Sequence, residues 1–183
     1  VAATLREHGC VHFQTTTLLS SDVIPACAAA YEKALAAALA EVDRRGLDRS
    51  GVKTKELVAR QRDRYDLVEG VEGTAPFDAL GRGGPWTAAI RRVLGPDAKR
   101  IRTGVVASLP GCGDQTIHAD GKHLFHGDDE CEKTHLPAHC VTVFVPLVDL
   151  DASMGPTEFF PGTHRRDGDV EAHAAAMKGA ARG

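Results

Sequence analysis

His118 and Asp120 flank a single alanine in the run DQTIHADGKHLFHGDDE, residues 114 to 130. On extended backbone, residues i and i+2 point to the same side, so an imidazole and a carboxylate at this spacing can close on one cation while Ala119 faces away. With a distant second histidine, such a pair becomes the two-His-one-carboxylate triad. That triad holds Fe(II) on one octahedral face and leaves the opposite positions open for chemistry. A second triplet, His126-Gly127-Asp128, lies in HGDDE, a run of turn formers and solvated acids that reads as a loop. With nine histidines in the chain, spacing alone does not choose between the two.

A rival metal chemistry is zinc. Cys131, His135, His139 and Cys140 give Cys-x3-His-x3-His-Cys, with Cys112, His123 and His126 close by. Pro137 breaks the helix that would align His135 with His139, and adjacent His139 and Cys140 would diverge on a strand. A structural loop is the better account of that segment. Asp149 and Asp151 fence a strand end before ASMG, and a capped turn explains them better than a pair of catalytic acids.

The elements that must hold His118 and Asp120 divide at about residue 97. Before it, a short helix stops at Gly9, and Cys10-Val11-His12-Phe13-Gln14-Thr15 reads as a strand. Ser20, Ser21 or Asp22 can cap an alanine-rich helix with Pro25 in its first turn, running to Arg45 and stopping at Gly46. KTKELVARQRDRYDLV, residues 53 to 68, reads as a solvated helix face running into a loop. A further helix spans about Pro85 to Leu94, closed by Gly95-Pro96. Beyond it, residues 101–109, 141–150 and 156–160 are rich in Val, Thr, Ile and Phe and read as strands. In GPTEFFPGTH, Gly155 permits a turn, Pro156 and Pro161 fix φ, and the phenylalanines supply packing area. The tail offers Asp167 or Asp169 as the cap of a short alanine-rich helix.

At 183 residues and 43% hydrophobic, the chain suits one domain, mainly β with N-terminal helices: a helical part over 1–97 and a β-rich part over 98–183. Its net charge of −3, with no basic block, excludes a nucleic-acid field. No apolar run approaches the roughly 20 residues of a membrane span, so no membrane partner is expected. Five widely spaced cysteines, an odd number with no secretory leader ahead of them, argue for a reducing compartment, cytoplasmic or organellar. Because the chain opens at Val1, a removed targeting segment or upstream domain stays open. About four strand candidates in the β-rich part would leave edges exposed, unless further strands or another chain cover them.

The runs SLPGCGDQTIHADGKHLF and LPAHCVTVFVPLVDLDASMGPTEFFPGTHRRDG together resemble the phytanoyl-CoA dioxygenase family of Fe(II)/2-oxoglutarate-dependent oxygenases. The likeness is close from about Val105 to Arg166. Ahead of that it rests on LREHGCVHF and LLSSDVI. It implies a double-stranded β-helix, the cupin-like jelly roll of eight core strands, with His118 and Asp120 as two of three iron ligands. It also implies a small-molecule or lipid-like substrate hydroxylated with 2-oxoglutarate and O₂ as co-substrates. The family's distal His and its 2-oxoglutarate-binding Arg have no match before Gly183, so the resemblance implies a jelly roll lacking its C-terminal strands. His164 is a weak third-ligand candidate, matching a structural turn of the family, and His173 is weaker still. Gln115 and Thr142 are candidates for contacting the co-substrate, although a plain loop Gln and a hydroxyl bonded to a neighbouring carbonyl explain them equally well. The alternative to an oxygenase is a non-catalytic jelly-roll fragment or binding module. The sequence leaves the oligomeric state open.

Overall fold

Alanine and leucine fill residues 23 to 44, the best helix formers with little side-chain entropy to lose, and they make the longest element of the chain. In a computed structural model, which describes residues 1–13, 19–67, 71–121, 124–125 and 136–164, the order is helix α1 (Ala2–His8), α2 (Val23–Arg44), strands β1 (Leu57–Gln61) and β2 (Arg64–Leu67), helices α3 (Ala75–Gly83) and α4 (Thr87–Leu94), strand β3 (Val105–Ser108), and a short 3-10 turn (Ala152–Met154). The three strands form one antiparallel sheet in the order β1-β2-β3.

α1 and α2 fall where the sequence places them. α1 ends on Gly9 in the left-handed conformation, φ 74°, with the Gly9 amide donating to the Leu5 carbonyl. At the start of α2, the Ser20 and Ser21 hydroxyls both donate to Asp22 Oδ1, which lowers the Asp22 carboxyl, while the Asp22 carbonyl accepts from the Ala26 amide. With 22 residues, α2 is long and apolar enough to cross a membrane by length and composition alone, which the run-by-run reading did not anticipate. One stripe of it, Cys27, Leu35 and Val42, is buried within the protein.

The charged stretch 53–68 is a β-hairpin over its described residues, not a helix face. Two periodicities compete there, and burial decides between them: Leu57 and Ala59 on β1, and Tyr65 and Leu67 on β2, alternate inward at period two beneath the charges. Asp63, at φ 59°, makes the tight connection, a conformation that aspartate tolerates better than most residues. Val52 and Thr54 fold back on β1 through backbone bonds to Ala59 and Leu57.

Helix α3 was not anticipated. Its signal is Thr74 ahead of Pro76 and Asp78, a first-turn proline and acid. α4 begins at Thr87 rather than Pro85 and closes at Gly95 as expected. Of the strands expected past residue 100, only Val105–Ser108 pairs. Residues 101–104, 141–150 and 156–160 join no ladder among the described residues, and neither do 10–13. β propensity expresses cross-strand packing more than backbone preference, so a Val-rich run with no neighbouring strand stays irregular. Two of the three strands therefore lie in the half expected to be helical, and the described residues are α+β without being mainly β. No eight-stranded jelly roll is formed among them. Gln14 and Thr15, His123, the HGDDE triplet, Cys131, His135 and the expected tail helix with His173 lie outside the described residues.

Two apolar clusters meet along α2. The first packs Leu35 and Val42 on the inner face of the sheet, Leu57, Ala59, Tyr65, Leu67 and Ala107, with Val52 beside them. The second gathers Cys27, Val71, Phe77 and Leu80, with Trp86, Val105, Val145 and Leu147 against it. Tyr31 and Ala34 touch both. Cys10, Cys27, Cys112 and Cys140 are free thiols, and burial pushes the Cys27 thiol up.

Leu57 is fully buried, so Leu57→Ala is expected to cost about 2–5 kcal/mol in urea unfolding, the range for a core leucine truncation. At the end of α2, Arg44 and Arg45 both donate to Glu41 and pull its carboxyl down to about 2. A carboxyl lowered by folding contributes stability above its unfolded pKa and loses it as pH falls through the folded value. The pair is exposed, so Glu41→Gln is expected to lower the thermal midpoint slightly at pH 7 in low salt. The difference from wild type should shrink between about pH 4.5 and pH 2, and in high salt.

Candidate metal centre

After β3 the chain turns at residues 109–112, where the Cys112 amide donates to the Leu109 carbonyl, and then runs irregularly through Gln115, His118 and Asp120. The same-side geometry expected of an i, i+2 pair holds without a ladder to enforce it. His118 Nε2 lies 3.8 Å from Asp120 Oδ1, both side chains about half exposed. His118 Nδ1 is 2.7 Å from the Thr116 carbonyl oxygen. A carbonyl can only accept, so in the neutral imidazole Nδ1 carries the proton and Nε2 the lone pair.

This is the outer-shell arrangement of metal-ligating histidines, in which the far ring nitrogen donates to a carbonyl or carboxylate and fixes tautomer and ring orientation. Two donors about 2.1 Å from one ion at right angles stand about 3 Å apart. The observed separation is somewhat wider and closes by a small rotation of either side chain. The donor set, one imidazole nitrogen and one carboxylate oxygen, suits a borderline divalent ion such as Fe(II). Among the described residues no third His, Cys, Asp or Glu joins them.

His164, the candidate third ligand, is engaged elsewhere. Its Nε2 lies 3.0 Å from the Arg6 carbonyl oxygen, and the Gly162 amide donates to the His8 carbonyl at 2.7 Å. The Pro-Gly-Thr-His turn thus satisfies two of the carbonyls left orphaned at the end of α1. Its ring also packs on Gly9 so closely that a Cβ there would stand 2.3 Å from His164 Nδ1. Gln115 and Thr142 are both exposed, so the need for a partner that a buried Thr142 hydroxyl would have does not arise. Of the rival zinc ligands, His139 and Cys140 are exposed. Asp149 is exposed as well, and Asp151 accepts from the Ser153 amide and hydroxyl in a capped turn, as the sequence indicates.

The hairpin beneath the segment that carries His118 and Asp120 was not expected from the sequence. Arg64 on β2 is buried and donates to Ser108 Oγ, and its Nη2 lies 3.6 Å from Cys112 Sγ. Gln61 donates to the Gly113 carbonyl, and the Leu109 amide donates to Asp63 O at 2.9 Å. The period-two pattern of LVARQ, a tight turn, then RYDL was the available signal.

One imidazole and one carboxylate at this spacing are two donors of the kind that mononuclear metal centres use beside open positions. The family model for phytanoyl-CoA dioxygenase matches residues 5–182, and the chain belongs to that family. The match reaches well beyond the stretch whose motifs carry the resemblance, into the helical N-terminal part. Members of this family are typically oxygenases. No solved structure matches the chain.

Gly9 combines a left-handed φ with no room for a Cβ. Gly9→Ala is therefore expected to lose about 1–2 kcal/mol from the backbone alone, with a further loss from displacing His164. His164→Ala, which spares the backbone, is expected to cost less, and calorimetric midpoints of the two variants check the order.

Proposed function

We propose that the protein is a non-haem Fe(II)- and 2-oxoglutarate-dependent dioxygenase that hydroxylates an unactivated C–H bond of a small-molecule or lipid-like substrate. The observation that carries this reading is the placement of His118 Nε2 3.8 Å from Asp120 Oδ1, with Nδ1 turned to the Thr116 carbonyl. Family membership supplies the reaction class. When bound, the iron with 2-oxoglutarate and O₂ supplies the oxidising power, the co-substrate leaving as succinate and CO₂. His118 and Asp120 would hold the ion as neutral imidazole and carboxylate, needing no proton movement at Nδ1. We further propose that the fold is the family's jelly roll. In support, Val145 and Leu147 are half-buried while Phe144, Pro146 and Val148 around them are exposed, a strand-like alternation that begins after the exposed Val143. The second histidine and the carboxylate-binding arginine would then come from outside the described residues.

A second reading, a binding module without turnover, is favoured by one observation: the described residues bring together two ligands and not three. Anaerobic titration with Fe(II) and 2-oxoglutarate separates the two. The oxygenase reading expects a weak visible charge-transfer band, lost in His118→Ala and weakened by at least about tenfold in affinity in Asp120→Asn. Wild-type protein with no such band would overturn the oxygenase reading and leave the binding module.

A further inference from the structure

Arg64 is 8% exposed and forms no ion pair with any carboxylate among the described residues. A buried guanidinium with neutral partners is costly, and an apolar side chain of similar volume would serve the core as well or better. What the guanidinium offers is a rigid fork of donors that can fix two points at once. Here Nε reaches Ser108 Oγ at 3.1 Å and Nη2 reaches Cys112 Sγ. These atoms lie on the last residue of β3 and at the far side of the turn that follows it.

The neighbours of Arg64 grip the same turn. The Leu109 amide donates to the Asp63 carbonyl at the hairpin tip, and Gln61 donates to the Gly113 carbonyl. The tip of one hairpin therefore holds residues 108 to 113 at four points, by side chains and by backbone. From Gly113 the chain reaches His118 in five Cα steps, at most about 18 Å of extended backbone. The Thr116 carbonyl that His118 Nδ1 meets lies on this tether.

We propose that the β1–β2 hairpin tip is a clamp that sets the position of the His118–Asp120 pair, with Arg64 as its principal positioning residue. This rests on the reading of that pair as a metal centre for its consequence, but its geometric claim concerns the apo protein. The clamp fixes where the tether starts, and the tether limits how far the pair can move from the sheet. Releasing it lets residues 113 to 120 move relative to the sheet, so the cost falls on the metal site and not on the fold.

The test uses the full chain with Arg64→Met, which keeps volume, Arg64→Lys, which keeps charge but not the fork, and Gln61→Ala, a half-buried member of the clamp that safeguards against Arg64 variants failing to fold. Two measurements are made on each: backbone ¹⁵N relaxation of residues 113–120 in apo protein, and titration with Co(II) alone, read by its d–d absorption. The expected result for Arg64→Met is an unchanged or higher thermal midpoint, lower order parameters across 113–120, and Co(II) affinity weakened about 10- to 100-fold. Arg64→Lys should recover part of both, and Gln61→Ala should show a smaller change of the same sign. Order parameters over 113–120 in Arg64→Met and Gln61→Ala indistinguishable from wild type overturn the clamp, whatever the metal does. Wild-type protein with no His118-dependent Co(II) spectrum instead counts against the metal reading, and the relaxation data still decide the clamp.

Discussion

β2 is hydrogen-bonded along both edges, to β1 on one side and β3 on the other, and its two faces answer to different demands. Tyr65 and Leu67 point toward α2 and complete the larger apolar cluster. Arg64 and Asp66 point away from it, Asp66 into an ion pair with Arg60 and Arg64 under the turn after β3. A shift of one residue in register would exchange these faces, burying the charges against α2 and exposing the tyrosine. The position of the candidate metal segment therefore depends on the same pairing that builds the core, and four residues carry both.

What could be read in advance follows from how local each signal is. The helices α1 and α2 announce themselves through glycine stops, capping residues and alanine content, all of which act within a turn or two of the chain. The His118–Asp120 pair was legible for the same reason, because an i, i+2 relation depends only on the backbone between them. The hairpin was concealed because its inward side chains, Leu57, Ala59, Tyr65 and Leu67, alternate with arginines and an aspartate whose density suggests a solvated surface. Burial of Arg64 could not be read at all, since it depends on Ser108 and Cys112 more than forty positions away. The runs at 141–150 and 156–160 err in the opposite direction: their composition favours strands, but a strand is a relation between two segments, and composition names only one of them.

Several exposed side chains of the Val141–Leu150 run are large and apolar. Phe144, Val148 and Leu150 face outward, and Phe144 meets Phe159 edge to face at 5.8 Å between ring centroids. That contact is of the favourable T-shaped kind, and it draws the GPTEFF segment onto the preceding run. The inner partners Val145 and Leu147 meanwhile rest on the cluster around Phe77 and Leu80. The segment that follows the His118–Asp120 pair is thus held from one side by the helical half of the molecule.

The bond between His164 and the Arg6 carbonyl joins positions 158 residues apart. Chain entropy makes such a contact the last to be rewarded during folding, because the intervening segments must already be compact before the ends meet at tolerable cost. The hairpin, whose strands are joined by two residues, has no such delay. The order of assembly that follows has the hairpin form early, while the seal between the first helix and the Pro-Gly-Thr-His turn closes last. By the same reasoning this seal opens first under stress, so amide exchange and protease nicking should begin at the two ends of the described structure, with residues 108–113 still held on the hairpin.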